Sequence, residues 1–315
     1  MTLQQMRYAI TIAESGSMNE AAHRLFITQP SLSSTIKELE KELGMTLFIR
    51  SNRGIAITTG GEEFLGYARQ IMEQYSMLEE RFVEKTSRKG RFSVSTQHYS
   101  FAVKAFIETA KTFGMDNYEF AIHETKTHDV MMNVRNMKSE VGVLYLNDFN
   151  RDAITKLFHE YSLEFHPLFS CGVSVYLWKK HPLANQESIS IGQLCDYPCL
   201  SFEQGEYNSF YFAEEVLSTY DYKKIIKAND RATLLNLMVG LNAFTLCSGI
   251  ITEDLNGSDY VAIPLTGDDR MTIGYISKTR VELSELAQHY IEQLKIIGAQ
   301  SGNNVVMLTQ VSAAE

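Results

Sequence analysis

The stretch that decides the N-terminal fold is residues 13–44, which read AESGSMNEAAHRLFITQPSLSSTIKELEKELG. Ser17 and Glu20 have the spacing of a capping box, in which each side chain satisfies a free backbone N–H of the other residue at the start of a short helix. A further helix is predicted to start near Thr28, with Pro30 in its first turn, where a missing N–H costs nothing. The stretch therefore predicts two short helices in succession.

The helix predicted to start near Thr28 has two distinct faces when its residues are placed about 100° apart. The apolar face consists of Leu32, Ile36, Leu39 and Leu43. The opposite face is small, polar and positive, and it consists of Pro30, Ser34, Lys37 and Lys41, with Ser31 and Ser33 beside it. A recognition helix needs such a face to enter the major groove of DNA without a clash.

The sequence around this helix completes a three-helix unit with a wing. Before it, apolar residues spaced by three and four over residues 3–13 predict a first helix. After Gly44, which can end a helix, Thr46–Arg50 and Ile55–Thr58 are predicted as two short strands. Arg50 and Arg53 would lie at or beside the hairpin tip, where arginine can reach phosphates or a minor groove. On spacing alone, a generic three-helix cap with solvated serines is the alternative.

The N-terminal stretch resembles the winged helix-turn-helix of LysR-type transcriptional regulators. The matching residues are Ala13 to Ser17, Ala21, Ala22, Leu25, Thr28 to Ser33, Ile36, Leu39, Glu40, Leu43, Gly44, Leu47, Phe48, Arg50, Arg53, Thr58 and Gly61. The resemblance continues to about residue 297. It implies that residues matching Gln29, Pro30, Ser33 and Ser34 lie at the DNA and that the wing arginine matching Arg53 contacts it. The candidate DNA-binding residues are Gln29, Pro30, Ser31, Ser33, Ser34, Lys37, Arg50 and Arg53.

The net charge of −9 does not argue against this interpretation, because it is unevenly distributed. Residues 1–90 carry 11 basic and 11 acidic residues, so the surplus acid lies entirely in residues 91–315. The charge of the whole chain therefore says little about what the N-terminal unit binds.

A connecting helix follows the wing over residues 61–90. Its apolar residues are spaced 4, 3, 4, 3, 4, which is the period of a coiled-coil seam. The stripe consists of Phe64, Ala68, Ile71, Tyr75, Leu78 and Phe82. A core face is the commoner meaning of such a stripe, but a long helix between two domains favours a homodimer seam. The polar run 84–90 is predicted to be the hinge.

From residue 91 onward, strands alternate with helices in two rounds, which predicts two α/β lobes, each with a mostly parallel sheet. The predicted domains are a DNA-binding domain at 1–60, the linker helix and hinge at 61–90, lobe I at 91–165 with 269–297, lobe II at 166–268 and a tail at 298–315. Helices are predicted near 189–195, 208–219 and 231–241 in lobe II. The family resemblance implies a periplasmic-binding-protein-like effector domain, so the fold class is α/β multidomain.

Small ligands bind such lobes at the carboxyl ends of strands and the N-termini of helices. The candidate effector-binding residues at these positions are Ser95, Thr96, Gln97, Ser100, Leu146, Ser201, Phe202 and Ser248. Free N–H groups at a helix start favour a negative ligand group. Thr96-Gln97 also resembles the ligand-binding segment of cysteine-biosynthesis regulators in the family, so the effector is expected to be anionic or sulfur-related.

No Walker loop, nucleophile elbow or metal-ligand grouping is present in the sequence, so neither a catalytic site, a metal nor another cofactor is predicted. Cys195 and Cys199 could form a redox switch, although a buried, unreactive thiol is commoner. The alternative function is a small-molecule-binding protein or enzyme whose N-terminal helices only mediate assembly.

The expected partners follow from these interpretations. They are double-stranded operator DNA with inverted-repeat symmetry, further copies of the chain in a homodimer and, by family analogy, a homotetramer, and RNA polymerase if the protein activates. No membrane partner, transmembrane segment or signal peptide is predicted, and the expected location is the cytoplasm.

Overall fold

The computed structural model describes residues 1–51, 54–82, 90–113, 118–207, 209–302 and 305–308. The chain divides into two compact units, Met1–Arg88 and Lys89–Glu315. The predicted hinge at 84–90 lies outside the described residues except for Gly90, which begins a strand.

The first unit is a winged helix-turn-helix with a long C-terminal helix. Its elements are α1 (Leu3–Ser15), α2 (Met18–Arg24), α3 (Gln29–Leu43), β1 (Phe48–Ser51), β2 (Gly54–Ile57) and α4 (Thr59–Phe82). The two strands of the wing pair antiparallel, with Phe48 opposite Ile57. The core includes Ile12, Ala21, Leu32, Ile36 and Leu39, each nearly inaccessible to solvent. The predicted apolar face of α3 therefore holds this unit together.

The predicted capping box at the start of α2 does not form. Ser17 occupies the N-cap position, but its side chain makes no capping hydrogen bond. Glu20 instead accepts a hydrogen bond from Arg24 Nε at 3.1 Å, one helical turn further on. A capping box is present at the start of α1, where Thr2 and Gln5 satisfy each other's backbone N–H groups.

Lobe I of the second unit is built on a six-stranded mixed sheet. Its strands are β3 (Gly90–Thr96), β4 (Tyr118–Glu124), β5 (Val141–Leu146), β6 (Leu163–Gly172), β12 (Arg270–Lys278) and β13 (Val305–Met307), in the spatial order β13-β6-β12-β5-β3-β4. Strands β4, β3 and β5 run parallel to one another. β12 pairs antiparallel with β5, β6 pairs antiparallel with β12, and β13 pairs antiparallel with β6. The helices of this lobe are α5 (Ser100–Thr112), α6 (Thr127–Arg135), α7 (Arg151–Tyr161) and α10 (Glu285–Gln300).

Lobe II contains two small sheets, and the prediction of a mostly parallel sheet was wrong for it. β7 (Ser174–Trp178) lies between β10 (Thr245–Cys247) and β11 (Tyr260–Pro264), and it pairs antiparallel with both. β8 (Cys199–Phe202) and β9 (Ile225–Ala228) form a parallel pair. The helices are α8 (Arg231–Leu241) and the short α9 (Glu253–Asn256).

The predicted boundary between the lobes at residue 166 is corrected by β6. This strand pairs with β12 along its whole length, from Leu163 opposite Lys278 to Gly172 opposite Arg270. Residues 166–172 therefore belong to the sheet of lobe I. Pro167 would argue against a central strand, and the register between β6 and β12 shifts beside it, between Ile273 and Gly274. The predicted tail also contributes β13 to the edge of this sheet.

The prediction of a helix at 208–219 was also wrong. Of its described residues, only the three-residue 3₁₀ turn Phe210–Phe212 is helical. The segment instead makes polar contacts with lobe I: Phe212 O accepts from Thr127 Oγ1, Ala213 O accepts from the Tyr145 hydroxyl, and the Glu214 carboxylate accepts from His98 N. Such contacts override local helix propensity. None of the described helices is long and apolar enough to span a membrane.

Candidate functional site

The solvent-facing surface of α3 is the first candidate site. Pro30, in the first turn, and Ser31, Ser34 and Lys37 are exposed, while Gln29 and Ser33 are half-buried. Gly44 ends the helix with a φ of 68°, a left-handed conformation in which glycine carries no steric cost. The structure therefore places six predicted DNA-binding residues on one accessible helix, and one of them, Lys37, is an exposed cation.

The wing is fastened to the helices by its second strand. Ile55 N donates to the carbonyl oxygen of Gly16 at 3.1 Å, which ties β2 to the turn between α1 and α2. Arg50 lies on β1 opposite Ile55. Arg53, the other predicted contact of the wing, lies outside the described residues.

The turn before α3 presents an aromatic side chain that the sequence interpretation did not select. Phe26 is 94% exposed and has a φ of 55°, which is unusual for a residue other than glycine. Its signal in the sequence was weak, because the apolar pair Phe26-Ile27 looks like an ordinary core position of the turn.

The apolar stripe on α4 divides into two parts. Ala68 is 1% exposed, and Phe64 is half-buried against the winged-helix core. Further along the helix, Ile71 is 42% exposed and Leu78 is 53% exposed, with half-buried Tyr75 between them. The side chain of Phe82 lies outside the described set. The stripe thus continues beyond the part of the helix that its own domain covers.

The second candidate site is a cleft between the two lobes. It contains about 670 Å³ of empty space, open solvent at its mouth included. Lobe I lines it with the segment His98–Phe101 and with Met271, and lobe II with residues of β7, α8, β10 and the segment 214–215. The rings of His98 and Phe202 stack across it, with centroids 3.7 Å apart and 5° between the planes.

Three of the eight predicted effector residues line this cleft. They are Ser100, Phe202 and Ser248. Ser201 lines a neighbouring cavity of lobe II, which Phe202 also borders. Ser201 and Phe202 are the last residues of β8, Ser248 follows β10 and Ser100 begins α5, so all four lie at element ends, as the sequence analysis expected.

The other four predicted effector residues are buried and do not line the cleft. Ser95 Oγ lies 2.8 Å from Ser139 Oγ and accepts from Asn133. Gln97 is 1% exposed, donates to Thr127 Oγ1 and accepts from the hydroxyl of Tyr99. Thr96 is fully buried on β3, and Leu146 belongs to the core beneath α6 and α7.

Two buried carboxyl groups that the sequence interpretation missed face the cleft. Glu214 accepts from His98 N at 2.8 Å and lies 2.9 Å from His98 Nδ1. Glu215 accepts from Phe202 N at 2.9 Å. Each residue is 6% exposed. The available signal was an acidic pair after the aromatic run Phe210–Phe212, which is unusual on a solvated helix.

Burial changes the chemistry of these groups. Burial, followed by the neighbouring Glu214 charge, raises the pKa of Glu215 from 4.5 to about 8. Burial also raises the pKa of the Cys199 thiol well above its ordinary value. A redox switch needs a thiolate, so the environment of Cys199 disfavours the redox role considered for the pair Cys195 and Cys199.

An exposed polar helix in a winged helix-turn-helix unit, followed by a two-lobed unit with a cleft between its lobes, defines the class of ligand-responsive DNA-binding regulators. Two sequence families match this chain. Residues 3–62 match the "Bacterial regulatory helix-turn-helix protein, lysR family", and residues 116–296 match the "LysR substrate binding domain". The chain belongs to the LysR family of transcriptional regulators.

Individual relatives agree with this assignment. The chain is 29% identical over 219 residues to the transcriptional regulator AlsR of Bacillus subtilis, covering 67% of each protein. It is 24% identical over 306 residues to the uncharacterized regulator YbhD of Escherichia coli, covering 93% of this chain and 90% of that protein. The fold resembles the Corynebacterium glutamicum OxyR C206 mutant with a TM-score of 0.57 at 20% identity, covering 95% and 94% of the two chains.

Proposed function

We propose that this LysR-type regulator binds an inverted-repeat operator through α3 and the wing, and that a small effector binds in the interlobe cleft. The observation that supports DNA binding is that α3 buries Leu32, Ile36 and Leu39 while its opposite face is small, polar and accessible. Effector binding would shift the population between two arrangements of the assembled protein. The chain would act without catalysing a reaction.

The proposed assembly is a homodimer through α4, extended to a homotetramer. Ile71 and Leu78 support it, because two large apolar side chains are exposed on one helix at coiled-coil spacing. Pairing would present two recognition helices to the two halves of an operator. RNA polymerase would be a further partner at promoters that the protein activates. Such a regulator would act in the cytoplasm, with the chromosome, and without a membrane partner.

The first test is selection of genomic DNA fragments by the purified full-length chain near physiological salt, followed by sequencing. Enrichment of an inverted repeat is the expected result, because a symmetric dimer selects a symmetric site. A folded, oligomeric protein that enriches no sequence would favour the alternative in which the N-terminal helices only mediate assembly.

Single-residue variants then distinguish residues that contact the DNA phosphates from residues that read the bases. Lys37→Ala is expected to weaken binding to every sequence and to reduce the slope of log affinity against log salt by about 1, as loss of a phosphate contact does. Gln29→Ala is expected to change which bases are preferred. Lys156→Ala, which removes an exposed lysine of α7, is the matched control. Equal effects of Lys37→Ala and Lys156→Ala would contradict the role of α3.

A further inference from the structure

Two backbone N–H groups at or just before helix starts of lobe I donate to the chain's own side chains. His98 N, just before α5, donates to the Glu214 carboxylate at 2.8 Å. Thr127 N, at the start of α6, donates to Gln204 Oε1 at 3.0 Å. Gln204 Nε2 in turn donates to Glu214 Oε1 at 3.0 Å, which joins the two helix starts into one network. An anionic ligand would have to displace a buried carboxylate from these donors.

The arginine that lines the cleft also has partners within the chain. Arg231 forms an ion pair with Glu124 and donates to Asn256 Oδ1 at 3.4 Å. Lys227 is the other cation near the acidic pair, and it acts on Glu215 in the direction that lowers its pKa. Burial and the Glu214 charge outweigh it. His98 pairs with Glu214 and Arg231 pairs with Glu124, so both basic side chains that line the cleft already have a carboxylate partner, and Glu215 adds a further carboxyl group.

The remaining lining suits a positively charged ligand with an apolar body. The rings of Tyr99, Tyr176 and Phe202 line the cleft, and aromatic faces attract organic cations. Thr245 lines the same cleft and is 5% exposed, yet its Oγ1 has no hydrogen-bond partner among the described residues. A buried hydroxyl without a partner costs free energy, and an ammonium donor placed in the cleft would supply one.

We propose that the effector of this protein is an organic cation, an amine carrying a small apolar group, that binds between the carboxyl groups of Glu214 and Glu215, Thr245 Oγ1 and the aromatic lining. This inference rests on the proposed function, since it names the ligand class of the same cleft. It replaces the expectation of an anionic or sulfur-related effector. When the ammonium group binds, the proton held by Glu215 passes to solvent, so the ligand charge is neutralised by a new carboxylate.

The experiment compares ligands that differ only in charge. Benzyl, phenylethyl and cyclohexylmethyl compounds are each supplied as amine, alcohol and carboxylate, and binding to the full-length chain is measured by calorimetry near neutral pH. We expect at least one amine to bind about tenfold tighter than both its alcohol and its carboxylate, a difference of about 1.4 kcal/mol. An alcohol or carboxylate that binds as tightly as its amine, or an absence of binding by all three amines, would overturn the proposal.

Variants of the lining test the assigned contacts. Glu215→Gln keeps an oxygen acceptor for Phe202 N and removes the negative charge, so it is expected to reduce amine affinity about tenfold. Thr245→Val keeps the side-chain shape and is expected to weaken the same amine without affecting the alcohol. The control is Glu203→Gln, which neutralises an exposed carboxylate outside the lining of the cleft. If Glu203→Gln weakens the amine as much as Glu215→Gln, general surface charge is responsible and the proposal fails.

Operator binding, measured in the same samples, separates this inference from the proposed function. An amine that binds the cleft without changing operator affinity would support the proposed ligand class and refute the proposal that a ligand in this cleft controls operator binding. An operator response produced only by carboxylates would refute the ligand class and leave effector control standing.

Discussion

Glu215 is a residue whose ionisation depends on the tertiary structure. An exposed glutamate on a helix would be charged at neutral pH, but this one lies buried beside Glu214 and accepts from the backbone of β8 at Phe202 N. Its raised pKa, about 8, follows from that burial and from the adjacent carboxylate. The identity of the residue could be read from the sequence, whereas its protonation state could not.

The raised pKa predicts a pH dependence of stability. The folded chain holds the Glu215 proton to higher pH than the unfolded chain does, so this group makes the free energy of unfolding fall as pH rises from about 5 to about 8. The slope is at most about 1.4 kcal/mol per pH unit. Glu215→Gln should remove this slope in urea unfolding followed across that range, and Glu203→Gln should retain it. Parallel curves for wild type and Glu215→Gln would contradict the burial of a titrating carboxyl group here.

Helix α4 shows how one periodic pattern can serve two purposes. Its first turns pack against α1 and complete the winged-helix core through Leu65, and Ala68 is buried one turn later. Its later turns keep the same spacing but leave Ile71 and Leu78 exposed. The period in the sequence predicted the helix correctly. It did not reveal where the stripe stops packing within the domain, because the spacing is identical in both parts.

The exposed half of the stripe predicts the behaviour of a double variant. Ile71→Glu with Leu78→Glu should leave the winged-helix unit folded, because neither side chain belongs to its core. Charge repulsion at the seam should nevertheless produce monomers that lose operator binding. Sedimentation and DNA titration measure both effects. Gln70→Glu with Ser76→Glu adds the same charge at exposed positions outside the stripe, and should remain oligomeric. An oligomeric Ile71→Glu, Leu78→Glu variant would place the dimer seam elsewhere.

At the scale of the whole molecule, the chain contains two compact units with separate hydrophobic cores. Leu39, in the first unit, and Met131, in the second, are both fully buried. Truncation of either side chain to alanine should cost its own unit about 2–5 kcal/mol. Calorimetry of the full chain should therefore show Leu39→Ala lowering one transition and Met131→Ala lowering another. A single transition lowered equally by both variants would mean that the units unfold together.

The amino-acid sequence alone was enough to predict the N-terminal helices, the polar face of α3, the stripe of α4 and the two α/β lobes. These features depend on short-range signals, namely apolar period, proline and glycine positions and strand–helix alternation. The extent of β6 and the irregular course of residues 203–207 and 209–216 depend instead on tertiary contacts. His98 and Glu214, for example, meet across 116 positions of sequence. Such pairs bring together groups with no common local pattern, which is why only the folded chain reveals the acidic lining of the cleft.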